Sequence, residues 1–167
     1  MTNDVQSGNT TSITTLSDTQ VGIERVFDAP RELVWELYTD PEAMAYWLGP
    51  RGTEMRVEEM DVREGGSYRY VAHSEGQDWV FFGEHRVVDP PKVLEATFAF
   101  EGMEGEPSVD RVEFQELDDG RTKIVVTSTL ASKEQRDGML QSGMEKGVVE
   151  GYEKLDELLA RRQDESR

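Results

Sequence analysis

Two different patterns of apolar and polar residues follow one another early in the chain. Over residues 20–27, "QVGIERVF", apolar and polar side chains alternate imperfectly, and the β-branched content predicts a strand. The spacing changes over residues 28–40, where apolar residues from Leu33 onward recur at i, i+1, i+4 and i+5. Because that spacing places them in one stripe on a helix, a short amphipathic helix is predicted there.

A second short helix is predicted immediately afterwards. Asp40 is a typical N-cap, Pro41 suits the first helical turn, and the Gly-Pro pair at 49–50 ends the helix. Met44 and Trp47 lie three residues apart and therefore share a face. A large aromatic residue beside a rigid turn either plugs the end of a core or belongs to a binding site. We expect Trp47 to be both wall and lid.

Residues 54–130 contain alternating apolar and polar positions separated by turn signals, which predicts six further strands. The alternation is clearest late in this region, where Leu94, Ala96, Phe98 and Phe100 share one face. Strands with one apolar face and one polar face are typical of an antiparallel sheet. The sequence therefore predicts a sheet with one buried face and one solvated face.

One long helix is predicted to follow the sheet. It begins at Ser132 with the spacing of a capping box, S-x-x-Q, and its apolar stripe continues to about residue 160. Such a helix can bury its stripe only across the apolar face of the sheet. Gly143, Gly147 and Gly151 fall on one ridge of it, each costing roughly 1 kcal/mol relative to alanine. Either the helix approaches the sheet closely there, or it leaves room for a ligand.

The order of predicted elements is strand, two short helices, six strands and long helix, which indicates an α+β fold. We assign residues 18–162 to a single domain, in keeping with the length of the chain. Residues 1–17 are rich in Thr, Ser, Asn and Asp and are predicted to form a flexible tail. Residues 163–167 are predicted to fray.

Composition narrows the classes of function. The chain of 167 residues is 36% hydrophobic and 32% charged, with a formal net charge of −17, which argues against nucleic-acid binding. It contains no cysteine, so disulfides, thiolate catalysis and zinc–sulfur sites are excluded. No apolar run approaches the roughly 20 residues of a membrane span, and no secretory signal is apparent. We therefore expect a cytoplasmic protein without a membrane span.

Candidate catalytic groups are scarce. The chain has two histidines, neither in the spacing of a metal site, and it lacks a phosphate-binding loop and a nucleophile elbow. We expect no metal and no cofactor. His85 shares the alternation of Trp79, Phe81 and Val87. If that face is the inner one, His85 either exchanges a proton with a ligand or is satisfied by a neighbour and inert.

Four stretches together carry a resemblance to a known family: "FDAPRELVWELYTDPEAMAYWLGP", "DVREGGSYRY", "FGEHRVVDPPKVLEATFAF" and "GVVEGYEKLDELL". They resemble the activator-of-heat-shock-protein-ATPase homologue family, a branch of the START-like (SRPBCC) superfamily, over residues 18–160. The resemblance implies a helix-grip fold of the START-like or Bet v-like kind, with a curved antiparallel sheet wrapped around the C-terminal helix and a cavity between them. The family often has a glutamate where this chain has Val87, which would leave the inner face less polar.

Three functions stay open at the level of sequence, and the first of them, which the glycine row and the aromatic residues also support, is the one that we predict. The first is a binding module for a small hydrophobic molecule, the second is an interaction module that stimulates a chaperone ATPase, and the third is a polyketide cyclase- or dehydratase-like enzyme with His85 as its proton-transfer group. Both a monomer and a homodimer are compatible with the sequence. The predicted ligand-binding residues are Trp47, Tyr70, Trp79, Phe81, His85, Phe98, Met144 and Val148.

Overall fold

A computed structural model describes residues 10–103 and 105–165, and this part of the chain contains eight strands and four helices. The strands are β1 (Ser12–Thr15), β2 (Gln20–Phe27), β3 (Glu54–Met60), β4 (Ser67–Ser74), β5 (Gln77–Asp89), β6 (Val93–Phe100), β7 (Ser108–Glu116) and β8 (Thr122–Thr129). The helices are α1 (Arg31–Thr39), α2 (Pro41–Trp47), α3 (Lys133–Gln141) and α4 (Met144–Glu165).

All eight strands form one antiparallel sheet in the order β1-β2-β8-β7-β6-β5-β4-β3. The six strands β3 to β8 follow one another as neighbours, and β2 joins the sheet beside the last of them. The sheet curves, and its concave face packs against α1, α2 and α4. The predicted α+β helix-grip fold, with two short helices after the strand at 20–27, is thereby confirmed.

The predicted helix starts are also confirmed by their hydrogen bonds. The Asp40 carboxylate accepts a hydrogen bond from the backbone N–H of Ala43 at 3.0 Å, and Pro41 is the first residue of α2. The Ser132 hydroxyl accepts one from the backbone N–H of Gln135 at 3.1 Å. Each cap satisfies one of the N–H groups that a helix start leaves without an intrahelical partner.

The ends of the domain differ from the prediction. Ser12–Thr15, assigned to the flexible tail, form edge strand β1, in which Ile13 pairs with Ile23 of β2. Helix α4 continues to Glu165, and the Gln163 side chain donates to the Asp28 carbonyl at 2.9 Å instead of fraying. Residues 1–9 of the predicted tail and residues 166–167 lie outside the described residues.

The single long helix predicted after Ser132 is in fact two helices. Gly143 separates α3 from α4 with a φ of +85°, a left-handed conformation that favours glycine and typically follows a helix C-terminus. The predicted row of three glycines in one helix is therefore wrong. Gly147 and Gly151 remain in α4, and Gly143 marks the break.

An aromatic cluster fills the core where α1, α2 and α4 meet the sheet. Tyr38 lies 4.9 Å from Trp47 and 5.2 Å from Phe114, measured between ring centroids. Tyr152 of α4 lies 5.2 Å from Phe27 and 6.0 Å from Trp47. These edge-to-face and stacked contacts connect three helices to strands from both ends of the chain.

Trp47 occupies the centre of this cluster as a core plug. Its side chain is 3% exposed, and its Nε1–H donates to the Leu37 carbonyl at 2.9 Å. The backbone of α4 comes close behind it, because a Cβ added at Gly151 would lie 2.9 Å from the Trp47 carbonyl oxygen. At Gly147 an added Cβ would lie 3.4 Å from Pro50 Cδ. We expected these glycines to let the helix approach the sheet closely. They instead let α4 approach the end of α2 and the turn that follows it.

We predict opposite effects of two glycine-to-alanine substitutions on stability. Alanine normally stabilises a helix interior by about 1 kcal/mol, and Gly138→Ala in α3 should do so because no atom lies within 4 Å of the added methyl group. Gly151→Ala should instead lower the free energy of unfolding by about 1 to 3 kcal/mol, because backbone must move. Urea unfolding of both variants measures the difference, and equal stabilisation would show that α4 does not closely approach the turn.

Candidate functional site

Helix α4 covers only part of the concave face. Tyr152, Leu155 and Leu159 in its later turns are buried, whereas Met144 and Val148 near its start are only partly buried. Helix α3 has no buried residue among its nine. The concave face is partly open to solvent along β5 and β6, whereas the inner-face residues of β4 are buried, and we call the open region the cleft.

Four aromatic side chains on the concave face of β5 and β6 border the cleft. Phe81 pairs in register with Phe100, and its ring stacks on that of Phe98 with the centroids 5.6 Å apart. Trp79 and Phe100 are 50% and 44% exposed, which is unusual for large apolar side chains on the inner face of a sheet. We call Trp79, Phe81, Phe98 and Phe100 the aromatic wall.

A row of small and polar side chains crosses the concave face beside the aromatic wall. His85 of β5 pairs with Ala96 of β6, Ala96 pairs with Asp110 of β7, and Asp110 pairs with Ser128 of β8. Paired residues project to the same face, so His85, Asp110 and Ser128 lie in one line across the sheet. The Ala96 methyl group lies in that line between His85 and Asp110. We call His85, Asp110 and Ser128 the polar row.

The hydrogen-bond set of the Asp110 side chain is incomplete among the described residues. Its Oδ1 accepts from the Ser128 hydroxyl at 2.7 Å, and its Oδ2 accepts no hydrogen bond there. Burial raises the pKa of the Asp110 carboxyl to about 6, although the hydrogen bond from Ser128 lowers it. At neutral pH the group is mostly a carboxylate with one oxygen available.

His85 is largely satisfied by its neighbours. The side chain is 4% exposed, and its Nδ1–H donates to the Asp61 carbonyl at 3.1 Å, so Nδ1 carries a proton. Burial lowers the pKa of His85, so the ring is neutral at neutral pH. Of the two interpretations of His85, this geometry supports the inert one.

Three tyrosine hydroxyls lie close to the Asp110 carboxylate. The Tyr38 and Tyr152 hydroxyls share a hydrogen bond of 2.8 Å, and the Tyr68 hydroxyl donates to the Thr97 carbonyl at 2.6 Å. Burial raises the pKa of each of these tyrosines, and the nearby negative charge of Asp110 raises the pKa further. All three stay protonated and uncharged at neutral pH.

The structure brings some of the predicted ligand-binding residues together and separates others. Trp79, Phe81 and Phe98 form the aromatic wall, His85 belongs to the polar row, and Met144 and Val148 lie at the start of α4. Tyr70 is buried beside Tyr68, with ring centroids 4.8 Å apart, and Trp47 is in the aromatic core cluster rather than on the open face.

Two features of the site differ from the sequence reasoning. A β-bulge between His85 and Val87 pairs Val87 with Glu95, so Val87 turns to the convex face and does not affect the polarity of the inner one. Asp110 was not predicted at all. It lies two residues before Val112, on the face that Val112 and Phe114 share. The alternation along this strand could therefore have predicted that Asp110 faces inward.

A hollow of about 480 Å³ lies on the convex face and is shallow and open. It is lined by Arg69, Phe82, Glu84 and their neighbours. Arg69 is already paired with Glu58 at 2.9 Å and with Glu101 at 3.2 Å, so its charge is compensated by exposed groups. Among residues 10–103 and 105–165, no three His, Asp or Glu side chains converge on a point where a metal ion could bind.

A curved antiparallel sheet holding a long C-terminal helix, with a partly open concave face, defines the START-like helix-grip class. Within it, the chain belongs to the Activator of Hsp90 ATPase homolog 1-like protein family, whose sequence model matches residues 28–160. The family recognised from the four sequence stretches is thereby confirmed. None of the described helices is long and apolar enough to cross a membrane.

Solved structures of bacterial proteins share this fold over nearly their whole length. A Rhodobacter sphaeroides protein is 26% identical with a TM-score of 0.85, covering 92% of this chain and 99% of its own. Protein Ms6760 from Mycobacterium smegmatis is 25% identical with a TM-score of 0.80, covering 89% and 97%. An Arthrobacter aurescens protein is 26% identical with a TM-score of 0.80, covering 90% and 91%. No protein with a curated description matches the chain.

We predict that Asp110→Asn changes the pH dependence of stability in a defined direction. The native pKa of about 6 lies above the ordinary 3.8, so the native state keeps the proton longer than the unfolded chain as pH rises. This contribution to stability is fully present below about pH 4 and is lost as pH rises through about 6. Asparagine keeps an oxygen for Ser128 without the charge.

The stability of Asp110→Asn relative to the parent protein should therefore increase between about pH 4 and about pH 8, by up to about 3 kcal/mol. Chemical unfolding of both proteins at the two pH values measures this difference, and the other ionisable groups cancel in the comparison. A difference that stays constant with pH would show that the Asp110 carboxyl has an ordinary pKa.

Proposed function

We propose that this protein is a binding module for a small apolar molecule, which lies on the aromatic wall in the cleft. The observation that carries the proposal is the exposure of Trp79 and Phe100 on the inner face of the sheet, where comparable side chains deeper in the fold are buried. The family and the START-like fold support hydrophobic-ligand binding in general.

Burial of the aromatic wall supplies a physical driving force. Removing apolar surface from water contributes about 25 cal/mol per Å², so covering about 200 Å² of the wall contributes about 5 kcal/mol before the cost of association. Aromatic side chains are effective anchors because they offer large rigid areas at low entropic cost. Phe81 and Phe98 already stack on one another, so the wall is organised before a ligand arrives.

Binding is favoured over catalysis by the state of His85. A general base must reach the proton that it removes, and the His85 side chain is almost completely buried. Stimulation of a chaperone ATPase, as the family description names it, stays a prediction of the resemblance, to be tested by ATPase assay with the protein added.

We predict that Trp79→Ala weakens binding of the neutral fluorescent probe N-phenyl-1-naphthylamine by about tenfold, because it removes the most exposed part of the aromatic wall. Direct excitation of the probe during titration of the protein measures the affinity. Phe82→Ala is the matched control, since Phe82 is an exposed aromatic residue of the same strand on the convex face.

Phe82→Ala should leave the affinity within about twofold of the parent protein. Both side chains are exposed, so both variants should fold, which far-UV circular dichroism checks. An absence of probe binding by the parent protein, or an equal loss in the two variants, would contradict binding in the cleft.

A further inference from the structure

We propose that Asp110 binds the polar head group of the ligand, and that this head group is a protonated amine rather than a carboxylate. The ligand class is then an apolar amine, with an apolar alcohol as a weaker substitute. This inference rests on the proposed function, because it assumes that the apolar part of the ligand lies on the aromatic wall.

The positions of the wall and the polar row along the strands support this arrangement. On β6, Phe100, Phe98 and Ala96 are successive inner-face residues, and Ala96 pairs with Asp110 on β7. Four residues of strand span about 13 Å, so an extended alkyl chain lying from Phe100 toward Ala96 places its end beside the Asp110 carboxylate. The Ala96 methyl group is the smallest side chain of that row, and Ala96 is only partly buried.

The hydrogen bonds of Asp110 support a donor head group. Ser128 supplies one donor to Oδ1, and no described residue supplies one to Oδ2. The described groups facing the carboxylate are uncharged: His85 has its Nδ1–H on the Asp61 carbonyl, and the Tyr38 and Tyr152 hydroxyls bond one another. A ligand N–H or O–H can therefore complete the set without displacing a protein partner.

Charge favours an amine among the possible donors. Asp110 is partly buried and forms no ion pair with any described arginine or lysine. A partly buried carboxylate without a cation is costly, and a protonated amine supplies both the compensating charge and the missing donor. A carboxylate head group would place a second negative charge beside the Asp110 carboxylate. The repulsion between the two charges disfavours binding of such a ligand.

The test compares three probes of equal chain length at neutral pH: dodecylamine, dodecanol and dodecanoate. Displacement of N-phenyl-1-naphthylamine, with isothermal titration calorimetry as a second measurement, gives their affinities. The parent protein should bind dodecylamine most tightly and dodecanoate least tightly. Asp110→Asn should weaken dodecylamine binding by about ten- to a hundredfold, the range for a hydrogen bond to a charged group, and change dodecanol binding much less.

Glu113→Gln is the matched control, because it removes the same charge from the same strand on the convex face, where Glu113 contacts Arg111 at 3.4 Å. It should preserve the order of the three probes, which separates the effect of Asp110 from general attraction of cations by an acidic protein. If Asp110→Asn is unstable, the affinities for the three probes are measured with Asp110→Ser, which removes the charge without enlarging the side chain.

The outcomes distinguish the two proposals. Binding of all three probes with no preference, or a preference that survives in Asp110→Asn, would overturn the role of Asp110 and leave apolar binding in the cleft intact. Equal losses in Asp110→Asn and Glu113→Gln would overturn it as well. Failure of the parent protein to bind any of the three probes or the fluorescent reporter would overturn both proposals.

Discussion

The close approach of helix α4 to the turn after α2 is the constraint on which the rest of the structure depends. Gly151 lets the helix backbone come against the Trp47 carbonyl, and this contact holds Tyr152 within the aromatic core cluster. The later turns of α4 are buried, whereas Met144 and Val148 in its first turns are only partly buried. Because the residues of α4 from Gly151 onward pack on the core and those before it are less buried, the packing that stabilises the core leaves part of the concave face open.

Successive rows of side chains across the concave face differ in polarity and burial, because the helices cover some rows and leave others open to solvent. The row of Leu94, Val112 and Val126 lies under the helices and is buried. The polar row comes next along the strands, and the aromatic wall lies beyond it in the open region. Polar groups thus sit at the boundary between packed core and solvent-accessible surface, where a carboxylate retains enough hydration to stay ionised at neutral pH. An apolar surface that ends at a fixed polar group is the usual arrangement of a site that orients a ligand.

Periodicity predicted most of this fold because each strand from β3 to β8 has one apolar face, and because α2 and α3 begin at clear side-chain caps. It failed where a local feature interrupts the period. A single left-handed residue at Gly143 divides an otherwise continuous helical pattern, and the bulge after His85 reverses the face of Val87. Asp110 was missed for another reason: with 35 acidic residues in the chain, one more acid carries little information until strand register places it on the inner face.

Two partly buried carboxylates show how the polar row differs from the rest of the core. Asp156 of α4 is also buried enough that its pKa is raised, but Arg25 of β2 binds it and so ties the first long strand to the last helix. Arg25 additionally lies over the Phe27 ring, 4.8 Å from its centroid, so its guanidinium is engaged at that end of the sheet. Asp110 has Ser128 alone. Because the same fold supplies a cation to one partly buried carboxylate and none among its described residues to the other, the second is the one whose interactions are left to be completed from outside the chain.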